Sequence, residues 1–311
     1  DALPTADDEM LWWEVWLRRD CRPIFDHAAR QLDVAVKEHS VTFAEREVIL
    51  ARAAPETIGR IVANTDAIAE LRLARDTPSL FIEMDGAQQI AWAQELADRV
   101  VAPGDNAPAV CVLDSGSTRR HPLIAPALAE DDQQAWHVGW HGEDVSAQWR
   151  GHGTQLSGTA LYGDLIHMLL GNGPVELHHR LESVKILPDH GDNDPDLYGY
   201  ITAAAMGRAE VIAPERARAY CLAVTCPGDH WRGRPSSWSA KLDDLAYGDG
   251  EDERLIVISA GNIRTYYPSA EYLDQNDTAP IESPAQSWNA LTVGAVTEKI
   301  TVTHRDFAGW Q

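Results

Sequence analysis

The apolar and polar positions of the first 75 residues switch between a period of two, typical of strands, and a period near 3.6, typical of helices. Strand patterns occupy residues 10–18, 41–43, 47–53 and 68–74, and helix patterns begin at Pro23 and Pro55. The apolar side of the first helix pattern consists of Ile24, Phe25, Ala28, Leu32 and Val36. Because the order β-α-β-β-α-β is that of a ferredoxin-like domain, we predict a small α+β domain over residues 1–76.

Residues 77–108 are predicted to connect this domain to the rest of the chain. Residues 88–101 carry a helix pattern, and the sequence Pro103-Gly-Asp-Asn-Ala-Pro108 then interrupts it. Proline and glycine rarely continue a helix, so the connector is predicted to contain one helix followed by a turn.

Residues 109–311 have a different pattern, in which short apolar strands alternate with longer helices. Strand patterns lie at 110–113, 181–187, 219–224, 254–259 and 290–296, and helix patterns lie at 154–169, 198–211 and 237–247. Strands that are separated by helices pair in parallel, so we predict an α/β domain with a parallel sheet flanked by helices. Ligand sites of such sheets lie beyond the carboxyl ends of the strands.

Three polar residues beside these elements are candidates for chemistry, and each has an ordinary structural alternative. Asp114 ends an apolar strand, where it is either a catalytic carboxylate or a residue that caps a turn. His152 lies between two glycines at a predicted helix start, where the helix dipole favours a neutral imidazole. It is either a general base or a structural histidine. Asn262 follows a strand and is either an oxyanion donor or a turn residue.

The order of the segments around these residues is more informative than any one of them. Asp114-Ser-Gly precedes Gly151-His-Gly-Thr154, which is the order Asp, then His, of a subtilisin-type triad. Further matching segments are His121-Pro-Leu, Ser183-Val-Lys-Ile-Leu187, Ser259-Ala-Gly-Asn262 and Asn289-Ala-Leu-Thr-Val-Gly-Ala295. Residues 109–311 therefore resemble the subtilases, the subtilisin-like serine peptidases, and their spacing is similar to that of long intracellular bacterial members.

This resemblance implies a role for each candidate residue. His152 would act as general base and then general acid, Asp114 would orient it, and Asn262 would donate to the oxyanion. An extended polypeptide substrate would pair, as an added strand, with the backbone of Leu222, Ala223 and Val224. Since subtilases often carry a ferredoxin-like propeptide, the resemblance also implies a propeptide-type role for residues 1–76.

The sequence departs from the subtilase pattern at two places. Gln155 stands where a second histidine is usual, and no Gly-Thr-Ser nucleophile segment occurs in the 311 residues. We expect a serine endopeptidase whose serine lies on a downstream segment of the same protein. That segment is then a predicted partner of this chain. The alternative is a non-catalytic, subtilase-like module that binds extended peptides or a partner protein.

The composition argues against several other classes of protein. The net charge is −22, from 26 basic and 48 acidic side chains, and such a chain is repelled by phosphate backbones. No apolar run reaches the roughly 18 residues of a membrane span, so neither nucleic acid nor a membrane is a predicted partner. Cys221 and Cys226 are close enough in sequence to bridge, but the cysteines lack a framework spacing, and we expect reduced thiols in a cytoplasmic protein.

No cofactor and no metal site is predicted. His137 and His141 have i, i+4 spacing, and four aspartates crowd residues 189–196, which are ligand types that zinc or calcium uses. The histidines lie among glycines and tryptophans that make a poor helix, and the aspartates are typical of a solvated loop. We therefore expect neither group to hold a metal ion.

Overall fold

A computed structural model describes residues 10–37, 40–73, 81, 84–226, 234–263 and 278–295 of the chain. The chain forms two compact units. The first contains residues 1–101 and 164–175, and the second contains residues 102–163 and 176–311.

The described helices and strands are as follows. The strands are β1 (Leu11–Arg18), β2 (Ala35–Val36), β3 (Val41–Thr42), β4 (Arg46–Ala53), β5 (Ile68–Leu73), β6 (Val100–Val101), β7 (Ala109–Asp114), β8 (Gln133–Ala135), β9 (Val175–Glu176), β10 (Arg180–Lys185), β11 (Arg218–Leu222), β12 (Leu255–Ser259) and β13 (Leu291–Val293). The α-helices are α1 (Arg22–Gln31), α2 (Pro55–Asn64), α3 (Gly86–Ala97), α4 (His152–Tyr162), α5 (Leu165–Leu170), α6 (Tyr198–Ile212) and α7 (Ser237–Tyr247). None of these helices is long and apolar enough to cross a membrane.

The first unit is built on an antiparallel sheet with the strand order β2-β4-β1-β5, to which β3 is added by pairing with β4. Alternate residues of β1, namely Trp13, Val15 and Leu17, point to one face and are buried. They share an apolar core with residues of α1 and α2, including Phe25, Ala29, Ile58 and Ile61. The predicted small α+β domain is confirmed, and β2 is one short strand more than the predicted element order.

Two details of this unit differ from the sequence prediction. The chain leaves α1 at Gln31, because Asp33 takes a positive φ of 53° and turns the backbone. Val36, predicted on the helix face, is therefore part of β2. Ile24, also predicted on that face, is exposed.

The second unit contains a parallel sheet, and in the described residues its strand order is β13-β12-β11-β7-β10-β8. Its largest core joins β7, β10, β11 and β12 to the apolar sides of α6 and α7 through residues such as Tyr220, Leu222, Ile256, Ile201 and Leu242. The predicted parallel α/β sheet flanked by helices is confirmed.

The single helix predicted over residues 154–169 is wrong, because the structure has two helices there. α4 ends at Tyr162 because its C-cap residue, Gly163, has a φ of 61°, and the Asp164 side chain then caps α5 by accepting a hydrogen bond from the Ile166 N–H. The break has a topological consequence, since residues 164–175 belong to the first unit. In that unit Ile166 and Leu170 of α5 pack with Leu50 and Trp92.

Candidate active site

Asp114 and His152 meet at the carboxyl edge of the parallel sheet. Asp114 is the last residue of β7 and its side chain is fully buried, whereas the imidazole of His152, the first residue of α4, is 52% exposed. The Nδ1 atom of His152 lies 2.8 Å from Oδ1 of Asp114. Because a carboxylate only accepts, Nδ1 is the protonated nitrogen, and Nε2 is left as the basic atom of the neutral ring.

The protonated form of this histidine is stabilised. The hydrogen bond to Asp114 is the largest effect and raises the pKa of His152, while partial burial of the ring opposes it. The negative charges of Asp114 and Asp144 raise the pKa further. The pair can therefore accept a proton at Nε2 and hold the resulting imidazolium, as a general base must.

Two glycines allow the segment after Asp114 to approach the helix that carries His152. A Cβ atom at Gly153 would overlap the carbonyl oxygen of Gly116, and Gly116 itself has a φ of 98°, which side chains disfavour. Ser115 completes the contact, since its N–H donates to Asp114 Oδ1 at 2.7 Å and its Oγ accepts from the Gly153 N–H at 2.9 Å. Close packing therefore requires glycine at positions 116 and 153.

The first turn of α4 has no side-chain cap of its own, because its N-cap residue is Gly151. Its N–H groups are bonded by residues from outside the helix: that of His152 by the Trp149 carbonyl at 3.0 Å, that of Gly153 by Ser115 Oγ, and that of Thr154 by Asp144 Oδ2 at 2.9 Å. Asp144 was not among the residues predicted from the sequence. It lies ten residues before Thr154, at a separation that matches no capping motif.

Lys185 is buried next to Asp114, its pairing partner in β7. Its Nζ donates to the Glu143 carbonyl at 2.8 Å and to Asp189 Oδ1 at 2.5 Å. Although partial burial opposes the change, the hydrogen bond and charge of Lys185 lower the pKa of Asp189. His141 Nε2 lies 3.2 Å from the other oxygen of Asp189.

Three of the side chains that the sequence offered as metal ligands make other contacts. Asp189 pairs with Lys185 and His141, and His137 Nδ1 accepts a hydrogen bond from the Gly139 N–H at 3.1 Å. Within the described ranges, no three His, Cys, Asp or Glu side chains converge as a metal site would require.

Asn262 lies three residues beyond the end of β12 and is exposed. Since β7, β11 and β12 are parallel, Asn262 is at the same edge of the sheet as Asp114. Its N–H donates to Glu282 Oε2 at 3.3 Å, and the same oxygen accepts from Thr225 Oγ1 at 2.5 Å. Glu282, a buried carboxylate, was not predicted from the sequence because it lies 20 residues away along the chain.

The segment predicted to pair with substrate lies at this edge. Leu222 is the buried last residue of β11, and Ala223 and Val224 continue past the last paired position of the strand. Burial, with a smaller contribution from the charge of Asp114, raises the pKa of the neighbouring Cys221 thiol to about 11. Cys221 is therefore protonated and unreactive at neutral pH. It is a thiol rather than half of a disulfide.

The subtilase family matches residues 105–307, which is more than half of the chain. The chain therefore belongs to the subtilase family, as its motifs indicated. No curated protein sequence matches it.

Solved structures similar to this chain include a serine protease, a subtilisin-like protease and a keratinolytic enzyme related to subtilisin. The epidermin leader peptide processing serine protease of Staphylococcus aureus is 13% identical, with 95% of this chain and 71% of that chain covered and a TM-score of 0.40. The psychrophilic subtilisin-like protease Apa1 of Pseudoalteromonas sp. AS-11 is 17% identical, with 67% and 41% covered and a TM-score of 0.37. Fervidolysin of Fervidobacterium pennivorans is 15% identical, with 84% and 41% covered and a TM-score of 0.33. This chain thus spans less than half the length of the last two.

Proposed function

We propose that the protein is a serine endopeptidase that uses Asp114 and His152 with a serine supplied by a downstream segment of the same protein. The observation that carries the proposal is the 2.8 Å contact between His152 Nδ1 and the buried Asp114. Membership of the subtilase family supports the reaction class. The residues 1–76 are, in this proposal, a propeptide-type domain.

The reaction proceeds through an acyl-enzyme. The serine Oγ attacks the scissile carbonyl carbon while His152 Nε2 takes its proton. The imidazolium, stabilised by Asp114, then protonates the leaving amine as the C–N bond breaks. Water repeats the sequence on the acyl-enzyme, with His152 again as base, and releases the acid and the serine.

Asn262 is proposed to stabilise the tetrahedral intermediate. Its side chain is exposed just beyond β12, so its amide is accessible to a substrate at this edge of the sheet. One such donor lowers the barrier by about 2.7–4 kcal/mol in acyl transfer. An extended polypeptide is proposed to pair with the backbone of Leu222, Ala223 and Val224.

The test is His152→Ala in the complete protein, with His178→Ala, an exposed histidine of the same unit, as the matched control. We expect His152→Ala to lower kcat on the order of 10⁶-fold, because loss of the base removes the activation of the serine. The control should retain full activity. Unchanged turnover by His152→Ala would refute the proposal, and peptide binding without turnover in the unmodified protein would favour a non-catalytic binding module.

A further inference from the structure

A carboxylate that the proposed reaction does not use is buried beside the first turn of α4. Asp144 is 8% exposed. Its Oδ2 accepts hydrogen bonds from the Thr154 N–H at 2.9 Å and from Thr154 Oγ1 at 2.8 Å. In the described part of the chain its Oδ1 is buried without a hydrogen bond. A carboxylate buried in this way is costly, so the two bonds to Thr154 are the contacts that hold it.

Thr154 connects this carboxylate to the segment that follows Asp114. The Thr118 N–H donates to Thr154 Oγ1 at 2.9 Å, and Thr118 Oγ1 donates to the Asp144 carbonyl at 3.4 Å. The Thr154 hydroxyl has one proton, which goes to the carboxylate as the strongest acceptor within reach. Asp144, Thr154 and Thr118 therefore form a closed set of contacts between the turn that carries His152 and the segment that begins at Asp114.

Asp144 also supplies the negative charge that the N-terminus of α4 lacks. The first turn of α4 contains no acidic residue, and its N-cap is Gly151. A carboxylate at a helix N-terminus stabilises the helix, and it offsets the tendency of the helix dipole to disfavour a nearby cation. The acidic groups that act on His152 are Asp114, which touches the ring, and Asp144, whose charge acts in the same direction.

We propose that Asp144 is a positioning residue for His152: its bonds to Thr154 hold the first turn of α4 against the Asp114 segment, and its charge supports the imidazolium. The inference rests on the proposed function of His152. In the described residues the Asp144 side chain bonds to Thr154 and not to the imidazole, so it acts through Thr154 and through its charge.

Two substitutions separate geometry from charge. Asp144→Asn keeps an oxygen that accepts from the Thr154 N–H and removes the charge, whereas Asp144→Ala removes both. Asp131→Asn, an exposed aspartate of the same unit, is the matched control for loss of one negative charge. Near-ultraviolet circular dichroism of each variant shows whether it is folded, and Asp144→Asn is the variant that keeps the size and shape of the side chain.

The first readout is the NMR titration of the His152 ring in this chain, assigned with His152→Ala. We expect His152 to titrate at lower pH in both Asp144 variants than in the unmodified chain. We also expect the Nδ1–H resonance to broaden by faster exchange in Asp144→Ala only. An unchanged titration in both variants would overturn the inference, as would an equal shift in the Asp131→Asn control.

The second readout is the kinetics of the complete protein. Misplacement of a reacting group by about 1 Å costs on the order of 10²-fold, so we expect Asp144→Ala to lower kcat about 10- to 100-fold with KM nearly unchanged. Asp144→Asn should lower kcat less than Asp144→Ala does. The two proposals fail separately, because full activity of His152→Ala contradicts the proposed function, whereas loss of activity in His152→Ala with full activity in Asp144→Ala contradicts only this inference.

Discussion

At the scale of single residues, two carboxylates with different contacts act on the imidazole of His152. Asp114 bonds to Nδ1, which fixes the tautomer and raises the pKa of the ring. Asp144 holds the backbone of the turn and contributes charge. As a base, His152 depends on the orientation of its ring, which Asp114 fixes, and on the position of its backbone, which Asp144 holds. Substitutions of Asp114 and of Asp144 should therefore affect His152 in different ways.

Replacing Asp114 with Asn tests the direct contact. The amide cannot stabilise the imidazolium and favours the other tautomer, so we expect kcat of the complete protein to fall on the order of 10⁴-fold. The pKa of His152 should fall as well, which an NMR titration of the ring measures. A titration of His152 at the same pH in both proteins would contradict the account.

The same substitution predicts a pH dependence of stability. Because Asp114 raises the pKa of His152 in the folded state, the pair adds stability that is full below the ordinary pKa of about 6.5. That stability is lost as the pH rises through the raised pKa of His152 in the folded protein. Asp114→Asn should therefore reduce the free energy of unfolding more at pH 5 than at pH 9, as measured by urea denaturation. An equal loss at both pH values would contradict this.

The sequence predicted individual site residues only where they lie in short local motifs. Asp114, His152 and Asn262 each lie in a short run of characteristic residues, and the structure joins the first two directly. Asp144 and Glu282 lie in no such run, since their contacts with Thr154 and Asn262 span ten and 20 residues of chain. Contacts of this kind arise from folding and leave no periodic signal.

At the scale of elements, the site depends on how closely α4 approaches the segment after β7. A methyl group at Gly153 would overlap the Gly116 carbonyl and lie 3.1 Å from Ser115 Oγ. The Gly116 carbonyl is part of the backbone, and the Ser115 side chain is buried and bonded to the Gly153 N–H, so neither group has much room to move. The approach therefore limits position 153 to glycine.

Gly153→Ala and Gly158→Ala form a matched pair within α4. Gly153→Ala should lower the free energy of unfolding by about 1–3 kcal/mol and reduce activity, because the helix must shift. Gly158 has open space around it, so Ala there should raise the free energy of unfolding by about 0.5–1 kcal/mol. Equal effects of the two changes on chemical denaturation would show that close packing at Gly153 is unimportant.

One strand and one helix break were not predicted from the sequence. β8 was missed because Gln133-Gln-Ala135 has no apolar alternation, and its place beside β10 is set by the sheet. The break at Gly163 was missed because apolar residues continue on both sides of it, up to Leu170. Tertiary contacts, which the local sequence pattern does not contain, determine both the formation of β8 and the break at Gly163.

At the scale of the whole molecule, the chain enters the first unit twice. Residues 164–175 return to that unit directly after α4, and the buried Lys37 donates to the Gly171 carbonyl there at 2.5 Å. Arg99 donates to the carbonyls of Met168 and Gly173, both at 2.7 Å. The element types of residues 10–73 were predictable from periodicity, but the addition of a segment about 100 residues away was not.

This connection predicts that a residue remote in sequence stabilises the N-terminal sheet. Leu170 is buried with Leu50 and Trp92, so Leu170→Ala should cost about 2–5 kcal/mol in the first unit. Ile90→Ala, at a residue of α3 that is 65% exposed, is the control and should change little. Hydrogen exchange of the β4 amides measures the difference, and equal protection in the two variants would contradict the assignment.

Labelling of the complete protein with a fluorophosphonate probe, followed by peptide mass analysis, shows whether Asp114 and His152 activate a serine. The account predicts one modified serine on a segment downstream of residue 311, and loss of that label in His152→Ala, because only an activated serine reacts. Absence of label on the folded, complete protein, or a label that persists in His152→Ala, would contradict the assignment of Asp114 and His152 to a serine protease triad.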